Sequence, residues 1–99
     1  MAMIRLSGRL VCPTHTDARR VAMALPAHVR LTQAEAGCIA FDVSPTADPL
    51  VWTVDETFAS RAAFDAHQQG TAASDWAAQT KDITRDYVIT EESAEAPRV

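Results

Sequence analysis

The sequence predicts an α+β fold: a four-stranded antiparallel sheet with helices on one face, in the ferredoxin-like split βαβ order. Three observations carry that prediction. Four short runs alternate apolar and polar residues with period two, two longer runs repeat apolar residues at spacings of three and four, and the order is strand, helix, strand, strand, helix, strand. Ninety-nine residues suffice for one such domain with its own core.

In the first strand, MIRLSGRLVC, Ile4, Leu6, Gly8, Leu10 and Cys12 alternate with Arg5, Ser7, Arg9 and Val11. Pro13 ends it. Thr14, Thr16 or Asp17 caps a helix whose inward face is expected to carry Ala18, Val21, Ala22, Leu25, Val29 and Thr32, with His28 beside them. Pro26 lacks a backbone donor and predicts a kink or restart, and Gly37 is expected to close the helix as a C-cap. The second strand, CIAFDV, places Ile39, Phe41 and Val43 on one side; SPTADP then turns the chain back into LVWTVDETF. There Trp52, Val54, Glu56 and Phe58 share one face. Ser60 caps a second helix on which Ala63, Phe64 and His67 fall on one side. Gly70 and Thr71 are expected to break it, with a further turn or two anchored by Trp76. In the last strand, DITRDYVIT, Ile83, Arg85, Tyr87 and Ile89 share a face. The globular domain is expected to span residues 1–90, and the acidic tail EESAEAPRV from Glu91 to be loose.

Composition narrows the function classes. A net charge of -4 with nine scattered basic residues leaves no footprint for nucleic acid or an anionic membrane. No apolar run approaches the ~20 residues a membrane span needs, and the N-terminus has no signal-peptide pattern, so a cytoplasmic protein is expected. Cys12 and Cys38 form no C-x-x-C motif. They belong to opposite ends of parallel strands, too far apart for a disulfide, and are read as free thiols. No G-x-G-x-x-G fingerprint or cysteine cluster points to a bound redox cofactor.

Glu56 sits in a row of large apolar groups, and the helix bearing His67 is expected to cover that row. The two side chains can therefore meet in a crevice between sheet and helices, His67 as a general base and Glu56 as the carboxylate that orients it. Trp52, Phe41, Trp76 and Phe64 are candidate walls for a planar ligand, with His28 a second polar group and Tyr87 a phenol at the rim. Each aromatic taken singly is more often core than ligand contact. Glu56, His28 and His67 also have the composition of a two-histidine, one-carboxylate metal site, but no close H-x-H or H-x-x-x-H pair pre-forms one, and no metal is expected. The sheet face bearing Arg5, Ser7, Arg9, Thr53, Asp55 and Thr57 is too polar for an ordinary core.

The runs EAGCIAFDV, DPLVWTVDETF and AFDAH resemble the antibiotic biosynthesis monooxygenase (ABM) family, quinol monooxygenase-like proteins of the dimeric α+β barrel superfamily. The resemblance rests on Glu35, Gly37 and Cys38, on Glu56 and Phe58, and on His67 among alanines; Ala36 and Phe58 stand where the family often has proline and tryptophan. It implies a homodimer whose sheets meet through their polar faces. It also implies oxidation of a small phenolic or quinol-type aromatic substrate by dioxygen without flavin, haem or metal. The haem-degrading branch of the superfamily uses an asparagine and a tryptophan where this chain has Gly8 and Phe58. The competing expectation is a non-catalytic binding protein or sensor for a small hydrophobic molecule.

Overall fold

The computed structural model describes residues 2–93. Strands β1 (Ala2–Val11), β2 (Cys38–Pro45), β3 (Val51–Phe58) and β4 (Thr84–Ser93) form one antiparallel sheet in the order β2-β3-β1-β4. Helices α1 (His15–Gln33), α2 (Arg61–Ala72) and the short α3 (Asp75–Gln79) cover one face. The split βαβ topology is the expected one, with β3 between the parallel strands β1 and β2. Between sheet and helices lie Ile4, Leu6, Leu10, Val54 and Phe58 from the sheet, and Val21, Phe64 and Trp76 from the three helices.

Local chemistry explains where the helices begin. The Thr14 hydroxyl accepts the Asp17 N–H at 3.1 Å, Ser60 accepts that of Ala63 at 3.1 Å, and Ser74 accepts that of Ala77 at 3.3 Å. Each cap satisfies one of the donors that a helix start leaves without an intrahelical partner.

Helix interiors and ends depart from expectation. α1 continues through Pro26 without a restart, and its buried positions are Asp17, Val21, His28 and Thr32, while Ala22 is exposed. His28 thus lies squarely inward. The helix ends at Ala34, whose N–H reaches back to the Arg30 and Thr32 carbonyls, so Gly37 is not its C-cap. Gly37 instead adopts φ +85° to lead into β2, and its carbonyl accepts the Ala59 N–H at 2.7 Å. A Cβ there would lie 2.6 Å from the Ala63 Cβ, so glycine lets this loop close onto α2. α2 runs through Gly70 and Thr71 to Ala72, because an interior glycine costs a helix only about 1 kcal/mol.

Two strand details also differ. The pairing of β2 with β3 slips between Cys38 and Ala40, a bulge that leaves Ile39 56 % exposed instead of facing inward with Phe41. β4 is longer than expected: Glu91, Glu92 and Ser93 pair with Ile4, Met3 and Ala2 on β1, so the loose tail does not begin at Glu91. The expectation for residues 94–99 lies outside the described residues. Cys12 and Cys38 are free thiols. Among the described residues no helix is long and apolar enough to cross a membrane.

Candidate active site

Glu56 lies at the middle of β3, paired with Leu6 of β1 on one side and Phe41 of β2 on the other. Alternation turns its carboxyl inward, where the residue is 6 % exposed. It lines a cavity of about 440 Å³ with His28, His67, Gln68, Thr71, Trp76, Arg85 and Tyr87. The cavity falls within the size range of small-molecule sites. It is bounded by β3, β4 and all three helices, so no single segment of sequence contains it.

His67 is 3 % exposed and meets a carboxylate from each side. Its Nδ1 lies 2.7 Å from Glu35 Oε1 and 3.1 Å from Oε2; its Nε2 lies 3.5 Å from Glu56 Oε1 and 3.4 Å from the Thr71 hydroxyl. The 2.7 Å contact is a strong hydrogen bond in which Nδ1–H donates to the Glu35 carboxylate, and it turns Nε2 toward Glu56. At 3.5 Å the Glu56 contact falls short of a hydrogen bond, and Glu56 Oε1 is a buried oxygen without a hydrogen-bond partner. Glu35, not Glu56, therefore orients the imidazole. Glu35 stands in the turn between α1 and β2, and the close approach at Gly37 brings that turn against α2.

Burial and the nearby Glu35 carboxylate push the Glu56 carboxyl up to about 7. His28 is held neutral, its pKa lowered to about 4 by burial, then by His67 and Arg85. The Tyr87 phenol is pushed up to about 12 chiefly by burial, so it stays protonated as a donor.

Aromatic rings fix the histidines. His28 stacks on Trp76 with ring centroids 4.6 Å apart and planes 1° apart, and His67 stacks on Phe58 at 4.7 Å. Phe41 meets both imidazoles edge-on, at 5.4 Å from His28 and 6.0 Å from His67. Arg85 braces the far wall. Its guanidinium donates to the Thr80 carbonyl at 3.0 Å, the Ile83 carbonyl at 3.1 Å and the Thr80 hydroxyl at 2.7 Å, and that hydroxyl donates to the Trp76 carbonyl at 2.7 Å.

Of the residues expected from sequence, Glu56, His67, His28, Trp76 and Tyr87 converge on the cavity. Trp52, Phe41 and Phe64 do not line it. Phe64 is in the core against Phe58, at 5.9 Å between centroids, and Trp52 packs at the core's margin. Phe41 acts from behind the histidines. Sequence reasoning missed the partnership of Glu35 with His67, and the lining residues Gln68, Thr71 and Arg85. On α2, Thr71 lies four positions after His67 and Gln68 four after Phe64, and Arg85 precedes Tyr87 by two on its strand face, so local periodicity held the signal for these three. The result is a half-polar cavity in which, of the four expected aromatic walls, Trp76 takes part. Among the described residues, no three histidine, cysteine, aspartate or glutamate side chains are grouped to hold a metal ion.

The same fold recurs among solved structures. Rv0793 of Mycobacterium tuberculosis is 26 % identical over the whole of both chains, with a TM-score of 0.68. The NE2512 protein of Nitrosomonas europaea, of unknown function, is 25 % identical over 100 % of this chain and 96 % of its own, with a TM-score of 0.71. A Caulobacter crescentus protein described provisionally as an antibiotic biosynthesis monooxygenase is 18 % identical over 95 % and 92 % of the two chains, with a TM-score of 0.69, and shows the shared fold alone. No curated protein matches the chain with significance. The model of the antibiotic biosynthesis monooxygenase family matches residues 9–79, spanning β1 to α3, and the chain belongs to that family.

Proposed function

We propose that this protein is a cofactor-independent monooxygenase that oxidises a small phenolic or quinol-type substrate with dioxygen. Family membership supports monooxygenase-type chemistry in general terms. The observation that carries the finer reading is the buried Glu56–His67 pair on the cavity wall, a proton acceptor raised toward neutrality and backed by Glu35. Removing a phenolic proton makes the ring electron-rich enough to reduce dioxygen itself. One oxygen atom then enters the ring as a new carbonyl, and the other leaves as water with the ring and hydroxyl hydrogens. Trp76 and the His28 ring stacked on it offer a flat wall, while Tyr87 and Arg85 offer donors to substrate oxygen.

The protein acts as a homodimer in this proposal. Support comes from the uncovered sheet face, where Arg5 pairs with Asp55 and Arg9 with Asp86, each at 3.1 Å, and Val88 is 62 % exposed. A monomeric mass in light scattering at micromolar concentration would count against it.

The functional test is dioxygen consumption against a panel of hydroquinones and polycyclic phenols, using protein verified free of flavin and metal. Uptake above autoxidation that disappears in His67→Ala is the expected result. Turnover unchanged in that variant sinks the reading. Saturable binding of panel compounds without uptake favours a small-molecule binding protein of the same fold.

A further inference from the structure

His67 borders two hollows. One is the cavity of about 440 Å³ that contains Glu56; the other, of about 430 Å³, is lined by Glu35, Ala36, Ala63, Ala66 and Gly70. The small side chains of α2 leave this second hollow open beside Glu35, whose own side chain is 35 % exposed. The His67 side chain is 2 % exposed and meets Glu56 on one nitrogen and Glu35 on the other. A partly exposed carboxylate, an imidazole and a buried carboxylate thus stand in series from solvent to cavity.

We infer that Glu35, His67 and Glu56 form a proton relay, with Glu56 exchanging the proton with the bound ligand and Glu35 exchanging it with water. The relay rests on the proposed acid–base role of the Glu56–His67 pair. A ligand hydroxyl passes its proton to the Glu56 carboxylate, which passes a proton to His67 Nε2 when their 3.5 Å contact closes to hydrogen-bond distance, as His67 Nδ1 releases its own to Glu35. Each group gains and loses one proton, and a proton returned along the same route restores the Nδ1–H tautomer. The relay matters most when a ligand fills the cavity and blocks water from Glu56 on that side. His67 is then the path between Glu56 and solvent.

The surroundings favour transfer along this line. His28, the other base beside His67, is held neutral, and Tyr87 keeps its proton, so neither competes as an acceptor. Arg85 lines the cavity as a fixed positive charge. Phe41 and Phe58 close the remaining sides of the His67 ring, and the Thr71 hydroxyl is the other polar group at Nε2. Glu35 is a positioning and proton-carrying residue, since it does not line the ligand cavity.

The test needs no substrate. Exchange of the His67 imidazole N–H with water is measured by nitrogen-resolved NMR in the ligand-free full chain and in the near-isosteric variants Glu35→Gln and Glu56→Gln. Glutamine at 35 can still accept the Nδ1–H bond but cannot carry a proton. Exchange at least tenfold slower in Glu35→Gln, with Glu56→Gln close to the parent rate, is the expected result. A merely structural role for Glu35 predicts equal or faster exchange in Glu35→Gln, and that result overturns the relay. So does slowing in Glu56→Gln as large as in Glu35→Gln, which would route the proton through the cavity mouth. Failed dioxygen uptake with the expected exchange pattern would reject the oxygenase reading and leave the relay standing.

Discussion

Asp55 and Glu56 are neighbours in β3 with the same functional group, and the pleat sends them to opposite faces of the sheet. Asp55 points to the open face, pairs with Arg5 at 3.1 Å and is more than half exposed. Water and salt screen that pair, so its strength is that of an ordinary surface ion pair. Glu56 points under the helices, where one oxygen has no hydrogen-bond partner and burial lifts the carboxyl to about 7. Environment, and not residue type, makes one carboxylate a solvated charge and holds the other as a buried carboxyl raised to about 7.

The largest expected effect lies on the buried side. Glu56→Gln should lower turnover by about 10² to 10⁴-fold, the range for losing a positioned acid–base group. Steady-state rates with a substrate that the dioxygen panel identifies measure it. Asp55→Asn on the opposite face should leave turnover within about twofold, and an equal loss in both variants would erase the contrast.

The dependence of stability on pH comes next. Glu56 has a raised folded pKa, so as pH falls from about 7 toward its ordinary value of 4.5 the native state takes up a proton before the unfolded chain does, and stability rises. His28 works oppositely. Its pKa is lowered to about 4 from the ordinary imidazole value of 6.5, so as pH falls through that window the unfolded chain is protonated first, and stability falls. The two nearly offset each other, and the native protein should show a flat stability profile between about pH 6.5 and 4.5. Glu56→Gln removes the rising contribution. Chemical denaturation of that variant should reveal a loss toward acid of up to about 3 kcal/mol. A flat profile in the variant as well would show that neither group is shifted.

The smallest effect belongs to the open face. A double-mutant cycle on Arg5→Ala and Asp55→Ala, followed by denaturant unfolding, should give a coupling below about 1 kcal/mol that shrinks with added salt. That value is the one for the isolated protomer, at concentrations where light scattering gives a monomeric mass; in the proposed homodimer the partner's sheet covers this face, and the coupling should be larger and resist salt.

Most of the fold was legible because its signals are local. Alternation in β1, β3 and β4 and the caps at Thr14 and Ser60 are each set by neighbouring residues. Ile39 escaped because a bulge changes the phase of alternation without changing composition. Gly70 escaped because tertiary packing can outweigh the modest cost of an interior glycine. At the site, Glu56 and His67 were legible as inward-facing ionisable groups on two adjacent apolar faces. Glu35 was visible only as part of an E-x-G-C step, 32 residues from the ring it orients.

The sequence by itself determined which residues face inward, through the periods of strand and helix, and so placed Glu56, His67 and Trp76 in one layer. Only the tertiary structure decided which carboxylate binds the imidazole, because that depends on how the turn before β2 settles onto α2 at Gly37. It likewise decided that Trp52, Phe41 and Phe64 serve packing while Gln68, Thr71 and Arg85 reach the cavity. Periodicity specifies the direction of a side chain within its own element. The distance between side chains on different elements is set by packing across the whole layer.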